Sequence, residues 1–115
     1  MSASTEATIT AFNEAFGRHD VDAVMALMTD DCIFENTLPT PDGERHVGQE
    51  AVREFWNKFF RDSPRAAFET EEMVVAGDRA TVLWRFDWGD GHIRGIDLFK
   101  VRDGKVAEKL SYVKG

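Results

Sequence analysis

Between Arg79 and Val101 apolar and polar residues alternate with a period of two, the signature of strands that bury one face. Ala80, Val82, Trp84, Phe86 and Trp88 share one side of the first strand, and that side is wholly apolar. Thr81, Leu83, Arg85 and Asp87 share the other. Gly89-Asp90-Gly91 supplies a tight turn, and a second strand runs from His92 to Val101. Ile93, Gly95, Asp97, Phe99 and Val101 share one of its faces, so a single carboxylate stands in an otherwise apolar row. Such a group must take up a proton or find a partner. The sequence leaves three readings of Asp97 open: an acid on a pocket wall, an ion pair with Lys109 of the last strand, or an exposed position.

Upstream the period changes to that of a helix. Residues 4–17 place Ile9, Phe12 and Phe16 on one stripe, with Ser4 or Thr5 as the cap and Gly17 just past the end. Asp20 caps a second, short helix whose apolar side is Val21, Val24, Met25, Leu27 and Met28; Thr29-Asp30-Asp31 breaks it. Cys32 to Thr37 reads as a strand, and Leu38 to Val47, with two prolines and a glycine, as a loop. Gly48 to Arg61 is a third helix, in which Val52, Phe55, Trp56, Phe59 and Phe60 follow one face. Ala66 to Val75 is a strand with polar interruptions, and Lys105 to Val113 is the last strand. Helices precede most of the sheet and three short turns join the last four strands, which predicts an α+β fold with an antiparallel meander.

Composition narrows the function classes. The chain has 115 residues, enough for one domain spanning residues 1–115, and nine Phe and three Trp among them point to a large core or a core holding an apolar pocket. A net charge of −7 with no basic stripe argues against nucleic acid or an anionic membrane as partner. No signal peptide or membrane span is visible, and the lone cysteine, Cys32, can form no intrachain disulfide, so a cytoplasmic location is expected. Cys32 reads as packed core. His19, His46 and His92 lack metal-ligand spacing and read as solvent-facing, with His46 near a pocket mouth. No metal site and no cofactor are implied.

Three stretches carry a resemblance. Ala26-Leu27-Met28-Thr29-Asp30-Asp31, Val47-Gly48-Gln49-Glu50-Ala51-Val52 and Phe99-Lys100-Val101-Arg102-Asp103-Gly104-Lys105-Val106, in that order, resemble the nuclear transport factor 2-like superfamily, and within it the SnoaL-like polyketide cyclases and ketosteroid isomerases. The resemblance covers essentially the whole chain. It implies a curved antiparallel sheet wrapped around three helices, a cone-shaped α+β barrel with a deep apolar pocket, and a homodimer. It fixes fold better than function.

Ile96-Asp97-Leu98-Phe99 resembles the isomerase segment whose aspartate donates a hydrogen bond in the oxyanion hole. Asn36 stands at the position of that family's general base and Phe12 at that of its phenol, so the isomerase set is incomplete. Phe34-Glu35-Asn36-Thr37-Leu38-Pro39 is similar to limonene-epoxide hydrolases, where an asparagine helps hold the attacking water. Arg85-Phe86-Asp87 matches that family's Arg-x-Asp pair, but Ser111 stands at its last-strand aspartate and Phe34 at its tyrosine. Strand parity also turns Arg85 and Asp87 away from a pocket lined by Val82, Trp84 and Phe86. The expected function is binding of a small, largely apolar, oxygen-bearing molecule. Asp97 would supply isomerase- or cyclase-type acid chemistry, and Asn36 would orient the ligand or a water. Phe12, Phe16, Phe34, Phe55, Val82, Trp84, Phe86 and Phe99 would form the walls. An epoxide-hydrolase-like enzyme and a non-catalytic dimeric module for a ligand or a protein are the alternatives.

Overall fold

The computed structural model describes residues 4–115. Three helices come from the first half of the chain: α1 (Thr5–Gly17), α2 (Val21–Ala26) and α3 (Gln49–Asp62). The strands are β1 (Met28–Glu35), β2 (Arg45–Val47), β3 (Ala67–Ala76), β4 (Arg79–Asp87), β5 (His92–Arg102) and β6 (Lys105–Val113). Caps set the first two helix starts. The Ser4 side chain accepts from the Ala7 N–H at 3.0 Å, and the Asp20 carboxylate accepts from that of Ala23 at 3.1 Å.

The six strands form one open sheet in the order β2-β1-β6-β5-β4-β3. Strands β3 to β6 are the expected antiparallel meander, and β1 lies parallel to β6, which makes the sheet mixed. The architecture is thus the expected α+β one, with α1 packed on β3 to β6 and α3 on β1 and β2. Two local readings are corrected. Thr29-Asp30-Asp31 lies within β1, which begins at Met28; the pairing with β6 shifts register between Met28 and Ile33, so an irregular strand accommodates the polar triplet. The stretch read as a loop to Val47 closes with β2, whose Arg45, His46 and Val47 pair with Glu35, Phe34 and Ile33. Three residues are too few to show a period.

The core fills the space between helices and sheet. Ile9, Phe12 and Phe16 of α1, Val52, Trp56 and Phe60 of α3, and Cys32, Val82, Phe99 and Val106 of the sheet are all buried. Burial pushes the Cys32 thiol above its usual range, as suits a packed, unreactive cysteine. Trp88 departs from the expected apolar row. It follows the end of β4, is half out in solvent, and rests near Phe86 at a 5.6 Å ring separation. No helix among the described residues is long and apolar enough to cross a membrane.

Candidate functional site

Aromatic side chains from five elements leave a gap between helices and sheet, a cavity of about 240 Å³. Phe16 reaches it from α1, Phe55, Trp56 and Phe59 from α3, Phe34 from β1, Phe68 from β3, and Trp84 and Phe86 from β4. Val82 and Ile93 complete the apolar wall, and Asn13, Asn36, Thr37, Leu38 and Thr70 add polar groups and rim. The Asn36 backbone N–H donates to the Glu44 carbonyl at 2.9 Å, which closes the loop that carries the rim. Gly43 makes that closure possible. Its φ is +77°, and a β-carbon there would run into the Asn36 carbonyl.

The polar end is built across two strands. Asp97 of β5 and Ser111 of β6 are directly paired, and Lys109 sits two residues from Ser111, between Phe99 on one side and Phe34 on the other. Asp97 and Lys109 are only 6 % and 7 % exposed, and both line the cavity. The Ser111 hydroxyl donates to Asp97 Oδ1 at 2.7 Å. Lys109 Nζ lies 3.4 Å from Asp97 Oδ2 and 3.4 Å from Ser111 Oγ. Aromatic faces surround the same ammonium, with ring centroids of Phe34, Phe16 and Trp56 at 4.8, 5.1 and 5.8 Å. Such a contact contributes about 2 kcal/mol when desolvated.

Two of the readings left open for Asp97 therefore meet: it is on the pocket wall and it is paired with Lys109. An acid without counter-charge is not what the site holds. The row on its own strand omitted the groups one strand over. Asn36, Phe16, Phe34, Phe55, Val82, Trp84 and Phe86 line the cavity. Phe12 and Phe99 do not. Both are fully buried, packed edge-on against each other at 5.6 Å in the core behind the cavity. Phe12 therefore holds no place from which a phenol could reach a ligand.

Arg85 and Asp87 point to the other side of the sheet, as parity required, and pair there at 3.5 Å. The Gly89 N–H, then Arg85, hold the Asp87 carboxyl below the usual carboxylate range. The hydrolase set is not assembled in the cavity, and Ser111 serves there as the hydrogen-bond donor to Asp97. His46 is half-buried, stacks on Phe34 and meets Phe55 at a tilt, backing the wall without reaching the cavity. His19, expected in solvent, stacks on Phe60 at 4.3 Å and donates from Nε2 to the Ala66 carbonyl at 2.7 Å, held there by a left-handed backbone with φ 57°. Among the described residues no group of three or more His, Cys, Asp or Glu is placed to hold a metal ion.

Lys109, one of the partners the sequence offered for Asp97, and Ser111 reach the cavity through an irregularity in β6 that alternation does not show. Val106, Ala107 and Lys109 are all buried although simple alternation would separate Val106 from Lys109. The register shift between Lys100 and Val101 leaves one extra residue in β6 and turns the remainder of that strand over. Gly95 is another part of the construction. It lies opposite Trp84, and a β-carbon on it would come within 2.6 Å of the indole ring, so the absent side chain is what lets Trp84 lie over the strand.

The sequence profile of the SnoaL-like domain family matches residues 9–109. None of the curated proteins matches the chain. Among solved structures, a nuclear transport factor 2-like protein of unknown function from Mesorhizobium loti is 42 % identical, with a TM-score of 0.86 over 96 % of this chain and 91 % of its own. A candidate polyketide cyclase from Sinorhizobium meliloti shares 21 % identity and a TM-score of 0.80, over 91 % of this chain and 93 % of its own. A candidate ketosteroid isomerase from Kribbella flavida shares 19 % identity and a TM-score of 0.84, over 100 % of this chain and 82 % of its own. At those lower identities the likeness is one of fold.

Proposed function

The chain belongs to the SnoaL-like domain family, and on that premise we propose that it binds a small, largely apolar, oxygen-bearing molecule and transfers a proton on it through Asp97. The observation that carries this reading is a carboxylate only 6 % exposed at the polar end of an aromatic cavity, with an ammonium 3.4 Å away. A buried carboxylate beside a hydrogen-bond donor suits abstraction of a proton from carbon next to a carbonyl. The carbonyl oxygen takes the hydrogen bond while the carboxylate takes the proton. Asn36, on the cavity rim, orients the ligand and has no basic lone pair to compete for that proton.

The test is exchange of the α-protons of a small aryl ketone into deuterated water, followed by NMR. The protein should accelerate it, and Asp97→Asn, assayed below its melting temperature, should lose roughly 10²–10⁴-fold of the acceleration. Binding without acceleration by the unaltered protein would leave a non-catalytic ligand carrier.

Assembly as a homodimer belongs to the same reading. Leu83, Ile96 and Tyr112 form one row across β4, β5 and β6 on the face away from the helices, next to Val113. Tyr112 is 51 % exposed and Val113 38 %. This apolar row, flanked on the same face by the Leu98–Leu110 pair, is suited to burial against a second copy. Sedimentation equilibrium should give a dimer for the unaltered chain and a monomer for Tyr112→Glu; a monomer in both cases would remove the dimer from the proposal.

A further inference from the structure

We infer that the cavity takes a neutral, one- or two-ring aromatic compound bearing a carbonyl or hydroxyl oxygen, and that Lys109 is the residue that holds this oxygen. The inference rests on the ligand-binding reading above and narrows it by size, charge and hydrogen-bond geometry.

Size comes first. A dry apolar cavity of about 150 Å³ accepts one benzene ring. The cavity here holds about 240 Å³, room for one ring with substituents or for two fused rings, and short of a four-ring skeleton. Its walls supply the faces and edges of Phe55, Phe59, Phe68, Trp84 and Phe86, which favour a flat aromatic occupant.

Charge decides between the classes of oxygen-bearing ligand. Asp97 already balances Lys109, both with side chains under a tenth exposed, so the polar end is neutral as a pair. A ligand carboxylate would set a second anion beside Asp97 in a site from which water is largely removed, and a ligand ammonium would meet Lys109. A neutral oxygen meets neither penalty.

Hydrogen-bond geometry then selects the partner. Asp97 Oδ1 is satisfied by Ser111 at 2.7 Å, whereas the hydrogen-bond and ion-pair contacts of Lys109 Nζ among the described residues are at 3.4 Å, longer than a normal N–H···O bond of about 2.7–3.2 Å. The ammonium carries three N–H groups and the protein gives it two long contacts and three ring faces. A ligand oxygen arriving from the cavity can take one N–H at full strength without breaking the pair with Asp97.

Isothermal titration calorimetry with four probes tests the inference: 1-acetonaphthone, 2-naphthoate, naphthalene and progesterone. Acetonaphthone should bind, and each of the others should bind at least about tenfold more weakly, one bond to a charged donor accounting for a factor of that order. Lys109→Met leaves Asp97 unpaired and can fail to fold, so the paired variant Asp97→Leu/Lys109→Met is measured beside it. In that variant acetonaphthone should lose its advantage over naphthalene, the two binding with about the same affinity. Tightest binding of naphthoate overturns the neutral-ligand assignment, and tightest binding of progesterone overturns the size assignment. Full acetonaphthone affinity in the paired variant overturns the role of Lys109. Binding of none of the four overturns the ligand-binding reading itself, a result distinct from the other three.

Discussion

Asp97→Leu should destabilise the fold by about 3–5 kcal/mol, seen as a fall in Tm of roughly 12–20 °C. The cause is what remains behind. Lys109, 7 % exposed and enclosed by Phe16, Phe34 and Trp56, would keep a buried positive charge with no carboxylate within reach. The ring faces offset only part of that cost, since a cation–π contact is worth a fraction of the charge's lost hydration. Asp97→Asn should lose less, because the amide oxygen still accepts from Ser111 while the charge is gone. Removing both charges changes the balance. Asp97→Leu/Lys109→Met should melt within a few degrees of the unaltered protein or above it, because two apolar side chains of similar volume carry no desolvation cost. A double-mutant cycle on thermal or urea unfolding reads the coupling directly. Added salt should rescue neither single variant, since a pair this buried is screened little. A single Asp97→Leu variant that melts with the unaltered protein would show that the pair does not hold the cavity's polar end together.

The fold was legible because its signals were long and consistent. The Arg79–Val101 alternation, apart from Trp88 just past the end of β4, the helical stripes through Phe12 and Trp56, and the caps at Ser4 and Asp20 have the outcome their patterns predict. What escaped was short or irregular: the three residues of β2, and the polar Thr29-Asp30-Asp31 inside β1. Parity placed Trp84 and Phe86 in the cavity and Arg85 and Asp87 outside it, because β4 has no bulge next to β5. The same rule applied to β6 fails, because an extra residue near Val106 turns Lys109 and Ser111 inward. A site shared between strands therefore depends on register, which the sequence of one strand does not contain. Depth is also hidden. Periodicity says that Phe12 and Phe16 share a stripe, but only packing decides that Phe16 faces the cavity while Phe12 lies behind it.

That difference in depth makes Phe12 the second position of large effect. Phe12→Ala should cost about 3–5 kcal/mol, because its ring is fully buried and touches Phe99, Trp56 and Phe16 at centroid distances of 5.6, 6.0 and 6.1 Å, a neighbourhood that cannot collapse around a lost ring without moving α1. The denaturant midpoint should fall while the slope stays constant, since the same surface is exposed on unfolding. Phe12→Tyr separates a core role from a site role. A hydroxyl added at this depth meets apolar neighbours and should cost about 1–3 kcal/mol as an unpartnered buried donor. It should leave ligand affinity and α-proton exchange unchanged, because the ring does not reach the cavity. Phe86→Ala should behave in the opposite way. Phe86 is half-buried on the cavity wall, so its loss should cost less stability and more ligand affinity. If Phe12→Tyr instead sharpened ligand binding or raised the exchange rate, its side chain would have to face the cavity, and the assignment of Phe12 to the core would be overturned.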